Sequence, residues 1–286
     1  MLSRVADSIY WMNRYIERAE NIARIIDVNI NMMLDLQLEG REQWEPLVII
    51  TGDQQLFRAT YGEATRENVI HFLAFDTGNP NSIISCLRAA RENARSIREI
   101  ISSEMWEQIN GFYHRVNNAA RTGLSVDDFY RFFHQVKMDS HLYIGLNLTT
   151  LSHNEVWHFC RLGRLLERAD KTSRILDVKY FYLLPSVSHV GTALDNIQWS
   201  ALLKSASAFE MYRKKYGRLT PRDIVEYLLL DREFPRAILY CLGRAEDSLH
   251  CISGSPAGTF ANGAERVLGQ LSAELSFAHV DDIITG

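Results

Sequence analysis

The chain has 286 residues, 47% of them hydrophobic and 23% charged, with a formal net charge of −4. That is enough chain to bury a sizeable core, as one large domain or two, and the charge balance carries no footprint for nucleic acid. The four cysteines (Cys86, Cys160, Cys241, Cys251) have no CxxC spacing, and no apolar run approaches the roughly 18 residues of a membrane helix. MLSRVADSIYW, the opening stretch, mixes acid and base and lacks the apolar centre of a secretory signal, so reduced thiols in the cytoplasm are expected.

Helical period runs through almost the whole chain. From Ser3 to Leu36, Ile9, Met12, Ile16, Ala19, Ala23, Ile26, Ile30 and Met33 recur at steps of three and four, one apolar stripe on one long helix. Glu17, Glu20, Arg24 and Asp27 lie on a flank of that stripe, with Arg14 and Arg18 further round. A Trp-led helix at Trp44 follows, then a short one capped by Thr65, then a Pro80-started helix carrying Cys86-Leu87. Two more helices fill Ser103 to Thr150, joined by a turn at Gly123–Asp127. Ser152 and Glu155 have the spacing of a capping box for a second long helix reaching about Leu183. Trp199, Thr220 with Pro221, Pro235 and Cys241-Leu242 then come in the same order as before. A Gly/Ser loop at Ser253–Gly258 leads to a last helix from about Ala261. Strand-like alternation is scarce, and the fold class expected is all-α.

The order repeats because the sequence does. YIERAENIARIIDV (Tyr15–Val28) returns 150 residues later as LLERADKTSRILDV (Leu165–Val178). At an offset of 155, Gln43, Trp44, Arg58, Tyr61, Gly62, Thr65, Asp76, Pro80 and Cys86-Leu87 match Gln198, Trp199, Arg213, Tyr216, Gly217, Thr220, Asp231, Pro235 and Cys241-Leu242. The five-residue change of offset fits an insertion around LLPSV at Pro185. Such self-similarity reads as a tandem duplication. It predicts an internally duplicated helical bundle with pseudo-two-fold symmetry: a first repeat over 1–150 and a second over 151–286, packed as one all-α unit.

Charges are kept between the copies while apolar positions drift. Arg14/Arg164, Glu17/Glu167, Arg18/Arg168, Arg24/Arg174 and Asp27/Asp177 are identical, whereas Tyr15, Ile22 and Ala23 become Leu165, Thr172 and Ser173. An exposed ladder (Glu20 to Arg24, Arg24 to Asp27) stabilises a helix by only about 0.2–0.5 kcal/mol per pair. So weak a constraint does not hold five charges, and a partly buried network is expected instead. Its role is left open between structure and binding.

SRVADSIYWMNRYIERAENIAR, ARENARSIREIISSEMWEQIN, GRLLERADKTSRILDVKYF and PRAILYCLGRAEDSL together resemble the bacterial alpha-E family, an all-helical domain named for its glutamate–arginine motif. The resemblance places that pair on Glu17-Arg18 and, through the duplication, on Glu167-Arg168. It implies association with circularly permuted ATP-grasp proteins, sometimes as a fused domain, with transglutaminase-like and proteasome-like peptidases as neighbours. The chemistry implied is the making or modifying of peptide or amide bonds. The family usually runs further than Gly286, which implies a shortened C terminus.

Other chemistry is weaker. Arg91 and Arg95, in a charged segment without a second copy, could hold a carboxylate or phosphate as one wall of a groove. Glu155-Val-Trp-His158 and Asp247-Ser-Leu-His250 have the letters of a di-iron motif. Glu155 is already assigned to a cap, though, and neither histidine recurs in the other half. His134 and His141 read as ordinary surface or core histidines. No metal and no cofactor is expected. The SGSPAG loop lacks the nucleophile-elbow spacing, and the Arg213–Arg218 cluster reads as a solvated helix end.

Three functions remain from the sequence. The first is an accessory protein of an ATP-grasp ligase, binding the ligase or a peptide-like substrate through Arg14, Arg18, Arg24, Arg91, Arg95, Arg164, Arg168 and Arg174. The second is an enzyme with Glu17 or Glu167 as acid/base on an anionic substrate. The third is a purely structural or homo-oligomer-forming module. No membrane is involved in any of them.

Overall fold

The computed structural model describes residues 1–36, 44–125, 128–181 and 192–285. Among them are fourteen helices and no strand, so the chain is all-α. They are α1 (Ser3–Leu36), α2 (Glu45–Thr51), α3 (Gln54–Tyr61), α4 (Arg66–Ala74), α5 (Ile83–Ser96), α6 (Ser103–Thr122) and α7 (Asp128–Thr150). Then come α8 (Glu155–Phe181), α9 (Ala193–Ser205), α10 (Phe209–Tyr216), α11 (Pro221–Leu230), α12 (Ile238–Ser253), α13 (Gly263–Phe277) and α14 (Val280–Thr285). No helix among the described residues is long and apolar enough to cross a membrane. Gln43, Val126, Asp127, the Leu183–Val187 segment and Gly286 lie outside the described residues.

Two compact units divide the chain, Met1–Arg164 and Leu165–Gly286, and the boundary falls inside α8. In the first unit α1 packs chiefly on α5 and α7, and α6 packs on both of these. Ile9, Met12 and Ile16 meet Ala90, Ala94, Ile97 and Tyr143 in one core. Ala19, Ile22, Ala23 and Ile26 meet Trp44, Phe72, Phe112 and Phe133 in another. The predicted stripe is therefore buried through Ile26, while Ile30 is half-buried. More of α1 is buried than the stripe, because α7 covers a second flank: Asn13, Asn21 and Asn29 are also below 6% exposed. In the second unit α12 packs on α13, and α11 on α12 and α14.

Local chemistry sets the helix ends. Thr65 accepts from the Asn68 N–H and Thr220 from the Asp223 N–H, each at 3.2 Å, with Pro221 at the first helical position. The Ser152–Glu155 box does not form. Asn154 stands closer to the helix start and its Oδ1 takes the Val156 N–H at 3.0 Å, which makes Glu155 the first residue of α8. Trp44 immediately precedes α2, but Trp199 lies within α9, which Thr192 caps seven residues earlier. Pro80 and Pro235 sit in the turns before α5 and α12 rather than inside the helices.

One position fixes how closely α8 approaches α1 in the first unit. A Cβ on Gly163 would lie 2.3 Å from the Tyr10 backbone oxygen. Only glycine permits that approach.

Candidate functional site

The charged flank of α1 is buried. Glu17 and Glu20 are each 1% exposed, and Asp27 is 6% exposed. Glu20 forms an ion pair with Arg24 one turn on, and His141 Nε2 of α7 lies 3.8 Å from the same carboxylate. Asp27 is held by Lys137 of α7 at 2.6 Å, not by Arg24 as the helical spacing suggests. Further along the α1–α7 seam, Tyr143 donates to Asn13 Oδ1 at 3.1 Å. The Asn13 and Asn21 amides return to the Ile9 and Glu17 carbonyls of their own helix, which satisfies donors that burial would otherwise penalise.

The arginines of the motif have different tasks. Arg14 lies over Trp11 and Tyr10 at 5.1 and 5.7 Å and donates to the Tyr10 hydroxyl at 3.3 Å. Arg18 lies over Tyr15 and donates to Asn81 Oδ1 at 2.5 Å, in the turn that precedes α5. Arg168 of the second unit reaches the corresponding turn before α12, donating to the Pro235 carbonyl at 3.2 Å. In both units, then, the arginine beside the glutamate ties the long helix to the turn that carries the proline. The cysteines six residues after the prolines meet the same turns: the Cys241 thiol points at the Pro235 carbonyl at 3.4 Å, and the Cys86 thiol at the Asn81 carbonyl at 3.4 Å, with the Pro80 carbonyl at 4.0 Å.

Glu167 is completely buried, 3.6 Å from Lys171, and Lys171 also meets Asp170 at 3.1 Å. Burial alone would raise the Asp170 carboxyl, but Lys171 and Arg174 outweigh it and hold it below its ordinary value. Arg174 is itself 2.9 Å from Asp170 and more exposed. Deeper in this unit, Lys179 is 1% exposed and donates to Asp195 at 2.8 Å and Gln198 at 2.7 Å, over the face of Trp199. Burial pulls the Lys179 ammonium below its usual pKa, against the pull of Asp195.

Half-buried Arg164 acts electrostatically on Tyr143 and Cys160. Burial pushes the Cys160 thiol up to about 11, so it is protonated and inert at neutral pH. Arg91 is fixed on α6 by Asn110 at 2.7 Å and by the rings of Tyr113 and Trp106. Arg95 is two-thirds exposed and paired with Glu92. The two share a helix and one partner, since Arg91 also reaches Glu92 at 3.1 Å, but only Arg91 is fixed to α6. Among the described residues, no group of three His, Cys, Asp or Glu side chains stands close enough to hold a metal ion.

Lys137, His141, Lys171 and Lys179 were not singled out by sequence reasoning as partners of the motif. Lys171 and Lys179 stand 150 residues on from Asn21 and Asn29, all four of them buried. That asparagine spacing of eight was a signal of a polar seam inside the fold. The Lys137 and His141 contacts had no sequence signal, since more than a hundred residues separate them from their partners.

Acid sensitivity follows from Asp231, which lies outside the motif helices and locks the turn before α12. Burial would raise its carboxyl; Lys215 at 2.6 Å and the Glu233 and Phe234 N–H groups overcome that and hold it below the ordinary range. A depressed folded-state pKa contributes stability above the unfolded value near ~3.9, and that stability is lost as pH falls through the folded value. Asp231→Asn is expected to cost about 2 kcal/mol at pH 7. In urea titrations its gap from the wild type should narrow steadily below about pH 4. A gap that stays constant down to pH 2 would contradict this.

Comparison with known proteins places the chain. It is 20% identical over 299 residues to Uncharacterized protein Rv2567 of Mycobacterium tuberculosis (strain ATCC 25618 / H37Rv), covering 98% of this chain and 33% of that protein. The same identity and coverage hold for Uncharacterized protein Mb2597 of Mycobacterium bovis. The chain thus spans about one third of the length of the curated relatives it matches. No solved structure matches it. Residues 1–286 match Alpha-E, described as a predicted alpha-helical domain with a conserved ER motif, and the chain belongs to that family.

Proposed function

We propose that this chain is the accessory, partner-binding module of a peptide- or amide-bond-forming system built around a circularly permuted ATP-grasp protein, working in the cytoplasm. In this reading the glutamate–arginine motifs form the frame, and the outer helix faces meet the ligase or its peptide-like substrate. The observation that carries it is the burial of both motif glutamates, at 1% and 0% exposure. A general acid or base must come within hydrogen-bond reach of substrate, and carboxylates with no accessible surface favour a frame over catalysis. The long relatives, three times the length of this chain's match, fit a module that works joined to other domains. The ATP-grasp identity of the partner rests on the family resemblance.

The frame is read as duplicated. Helix starts at Gln54, Arg66 and Ile83 recur at Phe209, Pro221 and Ile238, each 155 residues on. Within the first unit, Tyr10 meets Gly163 and Asn13 hydrogen-bonds Cys160. At an offset of 150 these two contacts exchange partners, as contacts across a local two-fold do.

The test is co-purification of this chain with the ATP-grasp protein encoded beside it, followed by ATP consumption with and without the chain. Association and a several-fold change in turnover are expected. No association and unchanged turnover would overturn the proposal.

A further inference from the structure

The first unit holds a cleft of about 430 Å³ between α4, the end of α6 and the start of α7. Its lining is mostly apolar, from Ile70, Phe75, Ala120, Leu124 and Phe129. Three polar side chains of α4 share the wall, Arg66, Glu67 and His71.

Arg66 and His71 are each chemically specific. Arg66 is half-buried and makes no ion pair among the described residues, and a guanidinium is a carboxylate receptor by geometry and charge. Glu67 also borders the cleft, but like His71 it is exposed to solvent, and water screens its field. His71 is oriented by a hydrogen-bond chain. Tyr61 donates its hydroxyl proton to Asp76 at 3.0 Å, and Asp76 also accepts from the Gly78 N–H at 2.7 Å. The Tyr61 oxygen, 2.8 Å from His71 Nδ1, is therefore the acceptor of an Nδ1–H. That tautomer leaves Nε2 as a lone pair for a ligand donor.

An apolar slot, a carboxylate receptor and a hydrogen-bond acceptor on one helix match one small chemical unit. We propose that this cleft binds the C-terminal residue of a peptide whose last side chain is apolar. The side chain enters the slot, the terminal carboxylate meets Arg66, and the last amide N–H donates to His71 Nε2. Its two polar groups are not repeated: Pro221 and Glu226 stand 155 residues on from Arg66 and His71. The cleft is thus specific to the first repeat, as a ligand site added to a symmetric scaffold would be. The expectation of a peptide-like ligand rests on the proposed function; the cleft can bind without the ligase partner.

Titration of the isolated full chain by amide NMR separates the two. The probes are Gly-Gly-Gly-Phe, its C-terminal amide, N-acetyl-phenylalanine and hexanoate. The tetrapeptide acid is expected to shift amides of α4 and of the first turns of α7, with at least tenfold tighter binding than the amide or hexanoate. Arg66→Gln should remove the preference for acid over amide while leaving the rest of the spectrum folded. Ala120→Phe should fill the slot and abolish binding. Equal binding of acid and amide, an unchanged preference in Arg66→Gln, or binding by hexanoate as tight as the peptide would overturn the proposal. So would binding of N-acetyl-phenylalanine alone, which would mark a site for free N-acyl amino acids. Failure here leaves co-purification with the ATP-grasp protein untouched, and loss of that association leaves this titration interpretable.

Discussion

Gly163→Ala is expected to destabilise the protein by about 3 kcal/mol or more, the cost of overpacking where neighbours cannot yield. A glycine in the middle of a helix ordinarily costs about 1 kcal/mol relative to alanine, so helix propensity favours the substitution. The new Cβ, however, would stand 2.3 Å from the Tyr10 carbonyl oxygen and 3.1 Å from its carbon. Those are backbone atoms in the second turn of α1, and no rotamer change removes them. Either helix must shift by about an ångström, and dense cores transmit such a shift rather than absorb it. Gly145→Ala, on exposed α7 surface with nothing near its Cβ, isolates the propensity term. It should stabilise by about 0.5–1 kcal/mol. Urea unfolding of the two variants should therefore move in opposite directions. A stabilised Gly163→Ala would mean that the close approach of α8 to Tyr10 is not part of the folded state.

The second large effect is expected at the motif glutamates. Removing one member of a buried charged group leaves the remaining charge without its partner, which costs about 3–5 kcal/mol. Glu167→Ala strips Lys171 of a carboxylate at 3.6 Å, but Asp170 stays 3.1 Å away, so the lower end of that range is expected. Glu17→Ala removes a carboxylate that is 1% exposed between well-packed turns of α1, and its loss adds a cavity to the electrostatic cost. Arg95→Ala is the control: its pair with Glu92 is on the surface, worth about 0.5 kcal/mol or less.

The helices of this fold were legible because their signals are local. The α1 stripe follows from the 3.6-residue period, and Thr65 and Thr220 from cap chemistry within three residues. The ER pair was legible as unusual, since Glu17, Arg18, Glu167 and Arg168 survive where Tyr15 and Ile22 do not. What those charges touch was not legible. Asp27 has an arginine three residues upstream that fits a helical ladder, yet Lys137 wins it, because burial against α7 brings a cation closer than the helix surface does. His141 was visible only by its spacing from His134, and its contact with Glu20 depends on how α7 lies along α1. Arg18 reaching Asn81, and Arg168 reaching the Pro235 carbonyl, likewise depend on a turn more than sixty residues away. The Arg66 and His71 cleft escaped for another reason: neither residue belongs to a repeated motif, and repetition was the strongest signal in the sequence.

Chemical denaturation of Glu17→Ala and Glu167→Ala beside Arg95→Ala tests most directly whether the motif glutamates belong to the frame. Both glutamate variants are expected to lose about 3 kcal/mol or more, with Arg95→Ala within about 0.5 kcal/mol of the wild type. Glutamate variants with unfolding midpoints indistinguishable from the wild type would contradict a structural role for the motif and return Glu17 and Glu167 to candidacy as acid/base groups.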